Sequence, residues 1–411
     1  MSLWSSLREL NIDQRHTVLA SFLGWMLDAF DYFLLTVVIV AIAREFSAST
    51  TEVTVALTLT LAARPLGALI FGRLADRYGR RPILMLDVVL FSVFELATAF
   101  STSLPMLLVL RFLFGIAMGG EWGIGASLAM EAIPPRSRGI VSGLLQSGYP
   151  CGFFLAALVN WLLIDAIGWR GLFIVGALPA LLVLYVRAKV PESPVWQANR
   201  HAHGRVGVRV AMRGHWKLFG YMIVLMCAFN AFSHGSQDMY HTFEELNLHL
   251  PTGSGTAFLL VALLNLGALV GGVFFGAWSE KIGRRRAMMV AALLAIPVIP
   301  LWTHGGSLLL LGLGAFLIQV MVQGAWGVVP THLNELSPDA VRGTLPGFAY
   351  QLGNLLAAGT ATAQAWVAHQ HGGDFGYAMG VWLAVVAVVL TLLVWLGPEA
   401  RGVRFGDTPA P

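Results

Sequence analysis

Charge is what this chain has least of. Asp, Glu, Lys and Arg make up 12% of its 411 residues, against roughly 25% in soluble domains, and that excludes an ordinary water-soluble protein. Cysteine is almost as scarce. Cys151 and Cys227 both lie in apolar runs, read as small core residues, and say little about redox compartment. No cleavable signal peptide is evident, because the polar, amphipathic start MSLWSSLRELNIDQRH leads into an apolar run long enough to span a bilayer. His201 and His203 in HAHGR have no third ligand nearby, so neither a metal nor another cofactor is expected. No nucleophile–base pair or metal cluster stands within the apolar runs, which argues against an enzyme. The net charge of +4 is modest, and no nucleic-acid partner is expected.

What is abundant is hydrocarbon. Hydrophobic residues make up 57% of the chain, and the mean hydropathy is +0.72. About 20 apolar residues suffice for a helix to cross a bilayer. Twelve such runs are present, at 18–42, 52–74, 83–101, 105–130, 138–163, 170–188, 217–243, 255–278, 287–303, 307–330, 340–368 and 375–396. The fold class is therefore an all-α polytopic membrane protein of twelve transmembrane helices, with membrane lipid as its solvent. Basic residues mark the orientation. Arg8 and Arg15, then Arg73, Arg77, Arg80 and Arg81, then Arg136 and Arg138, then seven residues from Arg187 to Lys217, then Lys281 and Arg284 to Arg286, all fall on one side. Only Arg44 and Arg170 fall in the alternate loops. The bias places both termini in the cytoplasm.

The chain repeats itself. GRLADRYGRR at 72–81 matches GAWSEKIGRR at 276–285, and EAIPPRSRG at 131–139 matches ELSPDAVRG at 335–343, both at an offset of 204 residues. PESP at 191 and PEAR at 398 form a looser third pair. A duplicated six-span unit follows: an N-terminal bundle over 1–188, a linker over 189–216 and a C-terminal bundle over 217–411. Transporters built this way place their site between the halves. GRLADRYGRRP resembles the hallmark loop motif of the major facilitator superfamily, and RFLFGIAMGG resembles that superfamily's Arg-containing fourth-span motif. The resemblance covers the whole chain and implies two pseudo-symmetric six-helix bundles.

Polar residues within the spans share one layer. In NAFSHGSQDMYHT, Asn230, His234, Gln237, Asp238 and His241 recur at helical spacing on one face. Counted from Lys217 at 1.5 Å per residue, Asn230 lies about 20 Å up and Asp238 about 30 Å up. Lipid would leave such a stripe unsatisfied, so it lines a cavity. Arg64, Asp28, Asp31, Gln146, Gln351 and Asn354 fall at similar depth. Two readings of Arg64 compete: an ion-pair partner of Asp28 or Asp31, or the planar fork that holds a substrate carboxylate.

The seventh span also resembles the signature N-x-x-[ST]-H-x-[ST]-Q-D-x-x-x-T of the Jen-type lactate and pyruvate permeases of the sialate:proton symporter family. Asn230, Ser233, His234, Ser236, Gln237, Asp238 and Thr242 fill its fixed positions. FLGWMLDAFDYF, the FGIAMGG run and YQLGN are similar too. The resemblance implies substrate roles for Asn230, His234, Asp238, Arg64, Gln351 and Asn354. Two departures bear on substrate size and valence. Glu121 in GGEWG stands where the fungal permeases have an uncharged residue, and Pro150 with Cys151 replaces bulkier ones.

The expected function is proton-coupled symport of a small monocarboxylate such as lactate or pyruvate, by a monomer in the plasma membrane. Arg64, Asn230, Gln351, Asn354, Gln146 and Gln237 would bind the anion. His234 with Asp238 is the preferred proton carrier, followed by Asp28 with Asp31. Glu121 could release the proton or pair structurally with Arg111 or another helix, and Glu95 reads as structural. Asp76 and Glu280 are expected to cap helix starts across the two halves. Arg80, Glu131 and Arg138 with their repeat mates Glu335 and Arg342 would complete a charge lattice that makes and breaks as the transporter cycles. The rivals are a symporter for a sialic, aromatic or dicarboxylic acid, a drug:proton antiporter, and a non-transporting sensor. Gly115, Gly119 and Gly123 read as close helix packing rather than dimerisation.

Overall fold

The computed structural model describes residues 9–48, 50–178, 180–203, 215–250 and 255–405. Among them all regular structure is helical. Eleven segments are long and apolar enough to cross a membrane. They are span 1 (Ile12–Ile39), span 2 (Val55–Tyr78), span 3 (Arg80–Ala99), span 4 (Leu104–Ala132), span 5 (Pro135–Asn160), span 6 (Leu162–Lys189), span 7 (Trp216–Leu246), span 8 (Gly255–Ile282), span 9 (Arg284–His304), span 10 (Leu308–Leu336) and span 12 (Phe375–Leu396). Span 11 differs from the unbroken helix expected over 340–368. It is two shorter helices, Leu345–Ala357 and Thr360–Gln370, parted at Ala358 and Gly359, and glycine costs a helix interior about 1 kcal/mol relative to alanine. The linker region contains a further helix, Pro194–His203. Residues 204–214, and the side chains of His201, His203 and His241, lie outside the description.

Local chemistry sets the ends. Span 1 starts at Ile12, before the apolar run at 18, because Asn11 and Gln14 form a reciprocal capping box with bonds of 2.8 and 3.0 Å. Ser103 caps span 4 and its repeat mate Ser307 caps span 10. Gly79 and Gly283, again 204 apart, turn the chain into spans 3 and 9 at φ 114° and 97°, a region that favours glycine. Leu309, Leu396 and Trp395 are 81%, 74% and 61% exposed. That outward grease is the signature of a lipid-facing surface, since water would penalise it.

The halves meet most closely at the end that carries the Arg-rich loops, called the basic end below. Span 5 lies against span 8, and span 2 against span 11. A Cβ on Gly143 would sit 2.2 Å from the Gly272 carbonyl oxygen, so backbones from the two halves touch there. Within the N-terminal half, a Cβ on Gly119 would sit 2.1 Å from the Arg64 carbonyl. The glycine spacing in span 4 thus serves close packing against span 2.

Candidate substrate and proton site

Arg64 is buried, and its Nη2 donates to Asp28 Oδ2 at 2.6 Å. The ion-pair alternative is therefore the one formed in this conformation. The pair is incomplete: Arg64 Nε and Asp28 Oδ1 have no partner. After Asp28, the neighbours that act electrostatically on the guanidinium are Tyr350, Tyr149 and Tyr32. Tyr350 belongs to the C-terminal half, so Arg64 stands at the seam.

Around this pair the N-terminal half holds a buried acidic constellation. Asp31 and Glu121 are fully buried, with no partner for either carboxyl oxygen. Glu121 does not pair with Arg111. That arginine instead donates to Glu95 Oε2 and Thr98 Oγ1, both at 2.7 Å, because Glu95 and Arg111 stand on the adjacent spans 3 and 4 toward the ends away from the basic loops. The space occupied by Glu121 is set by Gly24, whose absent Cβ would lie 2.2 Å from Glu121 Oε1. Asp87 on span 3 is a further unpartnered, fully buried carboxyl. It faces Glu121, Asp28 and Arg64, and Gly120 leaves it room. Sequence reading passed over Asp87, although its spacing of eight from Glu95 puts both on one face of span 3. Five carboxyl groups thus share the interior with two guanidiniums, Arg64 and Arg111. Electroneutrality is reached when three of the five carboxyls hold a proton.

The C-terminal half supplies amides and an imidazole. His234 bridges Asp238 Oδ1 through Nδ1 and Asn354 Oδ1 through Nε2, each at 3.1 Å. The His234 and Asp238 side chains are 33% and 35% exposed, whereas Arg64 is buried. Asn230 donates one amide hydrogen to the Met226 carbonyl of its own helix at 2.8 Å, which leaves its second N–H and its oxygen for a ligand. Gln237 reaches Ser233 and Gln319 at 3.3 and 3.5 Å. Gln323 also bonds Ser233, at 3.0 Å. Gln351 is buried, and both of its side-chain polar atoms lack partners. Gln146 accepts from the Trp122 indole at 3.4 Å.

An aromatic box encloses this layer. Trp25 stacks on Tyr149 at 5.6 Å and meets Trp122 and Tyr350 at 6.4 and 6.3 Å. Tyr350 lies 4.7 Å from Trp122 and 5.7 Å from Trp326. The rings come from both halves, so the box closes the seam beneath Arg64. Pattern reading found the polar stripe but not the rings, because apolar periodicity does not distinguish a lipid-facing ring from one facing a cavity.

At the basic end the repeat becomes a lattice. Asp76 accepts from the Gly343 amide at 2.8 Å and from the Thr344 hydroxyl at 2.5 Å. Glu280 accepts from the Gly139 amide at 2.5 Å. These are repeat mates acting on repeat mates across the seam. Arg80 contacts Asp76 and Glu131 at 3.1 and 3.2 Å, and Arg284 grips Glu335 with two bonds of 3.0 Å. Arg138 reaches Glu335 at 3.8 Å, and Arg342 reaches Glu131 at 3.6 Å, each contact crossing between halves. The basic end is therefore shut in this conformation.

Comparison with known proteins agrees with this architecture. A family model described as Major Facilitator Superfamily matches residues 21–359. The chain is 29% identical over 406 residues to the sialic acid transporter NanX of Escherichia coli (strain K12), with 96% of each chain covered. It is 28% identical over 394 residues to a carboxylic acid transporter protein homolog of Saccharomyces cerevisiae, covering 89% of this chain and 63% of that one. A solved structure of the proton:xylose symporter XylE matches with a TM-score of 0.75 at 20% identity, covering 96% of this chain and 98% of the other, which shows the fold alone. With a family match across most of the chain and eleven long apolar helices, the protein belongs to the Major Facilitator Superfamily, as a multi-pass membrane transporter and not an enzyme.

Proposed function

We propose that this transporter takes up small organic acid anions with protons by alternating access, and that its cargo is a monocarboxylate such as lactate or pyruvate. The observation that carries this reading is the half-satisfied Arg64–Asp28 pair. The Glu95–Arg111 pair also leaves Arg111 Nε and Glu95 Oε1 open, but it lies within one half, and what sets Arg64–Asp28 apart is its place at the seam. Here Arg64 Nε, Asp28 Oδ1 and both polar atoms of the Gln351 side chain stay unmatched at the seam. A carboxylate arriving from the His234–Asp238 side can take the guanidinium's fork once a proton on Asp28 cancels that side chain's charge. The substrate then replaces Asp28 as the counterion, and Gln351, Asn354 and Asn230 orient the rest of the molecule.

Proton coupling follows from the voltage. An anion moving alone against an inside-negative potential loses about 2.3 kcal/mol per 100 mV, and one proton cancels that cost. His234 and Asp238 stand where outside acid reaches first. Asp28, Asp31 and Glu121 lie deeper, with Asp87 beside them, and would pass the proton inward. The basic end is the cytoplasmic one by its charge bias, which puts both termini inside. The bacterial inner membrane is the natural location, with the chain acting as a monomer surrounded by lipid. Asp76, Glu280 and the arginine–glutamate lattice then serve as the cytoplasmic gate.

A second reading is a larger acid. It is favoured by the likeness to a sialic acid transporter over 96% of both chains, and by Glu121 in the site layer. One experiment separates them: uptake of labelled lactate into proteoliposomes under an imposed pH gradient, with pyruvate, succinate, sialic acid and benzoate as competitors. Lactate accumulation that collapses with the gradient and yields to pyruvate supports the monocarboxylate reading. No lactate uptake, with gradient-driven uptake of labelled sialic acid or benzoate, replaces it with the second. Uptake indifferent to the gradient removes proton coupling.

A further inference from the structure

Beyond span 12 the chain turns at Gly402, φ 83°, and crosses the seam at the basic end. Its root is tied to the C-terminal half. Glu399 accepts from the Arg285 amide at 3.1 Å, and Arg401 donates to the Lys281 carbonyl at 2.9 Å. Its tip reaches the other half, where the Val403 carbonyl accepts from Arg138 Nη1 at 2.6 Å. Between these, the Phe405 ring centre lies 3.4 Å from the Arg138 guanidinium carbon and 3.7 Å from that of Arg342. These two buried arginines are repeat mates, one from each half.

We propose that residues 403–405 form an intramolecular latch, in which Phe405, held between Arg138 and Arg342, keeps the basic end shut and sets how often it opens. The reasoning is differential contact. A contact shifts a conformational equilibrium only when it differs between the two states. The ring can face both guanidiniums only while the halves are together, and on opening it keeps at most one. An aromatic face attracts each cation through its quadrupole, more strongly where water is excluded. The ring also stands between two like charges that the cross-seam glutamates Glu131 and Glu335 meet only at 3.6 and 3.8 Å. Nothing in the sequence repeat anticipates this. The corresponding stretch after span 6 instead sends the Trp196 indole to the Asp76 carbonyl at 2.9 Å.

The test uses the full chain in lipid nanodiscs, with Cys151→Ser and Cys227→Ser as background and spin labels on Arg77→Cys and Arg286→Cys, two exposed sites at the basic end of opposite halves. Distances between the labels are read by pulsed electron resonance. Phe405→Ala and Phe405→Leu are each expected to raise the ratio of long to short distances about tenfold, and Phe405→Tyr to keep the wild-type distribution. Leu retains the apolar bulk, so it carries the test if the Ala variant does not fold. A wild-type distribution in Phe405→Leu would mean that bulk alone suffices, and the latch is overturned. A shift in Phe405→Tyr equal to that in Leu overturns it as well.

Discussion

A guanidinium buried in a bilayer needs an anion, and Arg64 has one in Asp28 at 2.6 Å. The question at the scale of one residue is whether that anion is permanent. If the fork is lent to a substrate carboxylate, Arg64→Lys should lower uptake roughly tenfold to a hundredfold, because a point charge replaces two parallel bonds. Initial-rate transport assays check this, and wild-type rates in the lysine variant would make Arg64 structural. Asp87 asks a sharper question. Asp87→Asn keeps the volume and removes the proton site. Its expected outcome is intact substrate exchange at equal concentrations on both sides, with pH-driven accumulation reduced at least about tenfold, since a coupling residue is needed only when the proton must move. Accumulation at the wild-type level would take Asp87 off the proton route. Depth counting made Arg64 and Asp28 legible as neighbours in the sequence. Asp87, Tyr32, Tyr149 and Tyr350 were not, because a helical period tells which residues share a face and not what that face meets.

Helices meet through their smallest residues, and one glycine pair across the seam makes a controlled comparison possible. A Cβ on Gly143 would stand 2.2 Å from the Gly272 carbonyl oxygen, whereas a Cβ on Gly272 would meet only atoms at 3.6 Å and beyond. The two positions face each other across the seam, yet only one lacks space. Gly143→Ala is therefore expected to cost about 1–3 kcal/mol through overpacking, and Gly272→Ala no more than about 0.5 kcal/mol. Thermal unfolding of the two purified variants in one detergent checks the order, and equal melting temperatures would show that spans 5 and 8 can separate without loss. The all-helical two-bundle architecture and eleven of the twelve expected spans were readable because lipid imposes length and composition directly. The break in span 11 was not, since Gly359 within an apolar run has the same hydropathy signature whether the helix continues or stops.

Across the whole molecule, one repeat operation relates two cross-seam caps. Asp76 holds the start of span 11 through Gly343 and Thr344, and Glu280 holds the start of span 5 through Gly139. Both sets of bonds cross the seam, so opening the basic end breaks both. Loss of a capping side chain costs about 0.5–2 kcal/mol, and each 1.4 kcal/mol is tenfold in an equilibrium. Asp76→Ala and Glu280→Ala should then each favour the open basic end by roughly twofold to thirtyfold, and by similar factors, because the geometry is repeated. Both act on one two-state equilibrium of rigid halves, so the double variant should shift it by about the product of the single factors. The measurement is the rate at which a basic-end thiol reacts with a membrane-impermeant reagent in inside-out vesicles. If the double variant reacts no faster than the quicker single, the two caps are not released in one motion. The halves would then part on one side first, and the pseudo-symmetry of the fold would not extend to its movement.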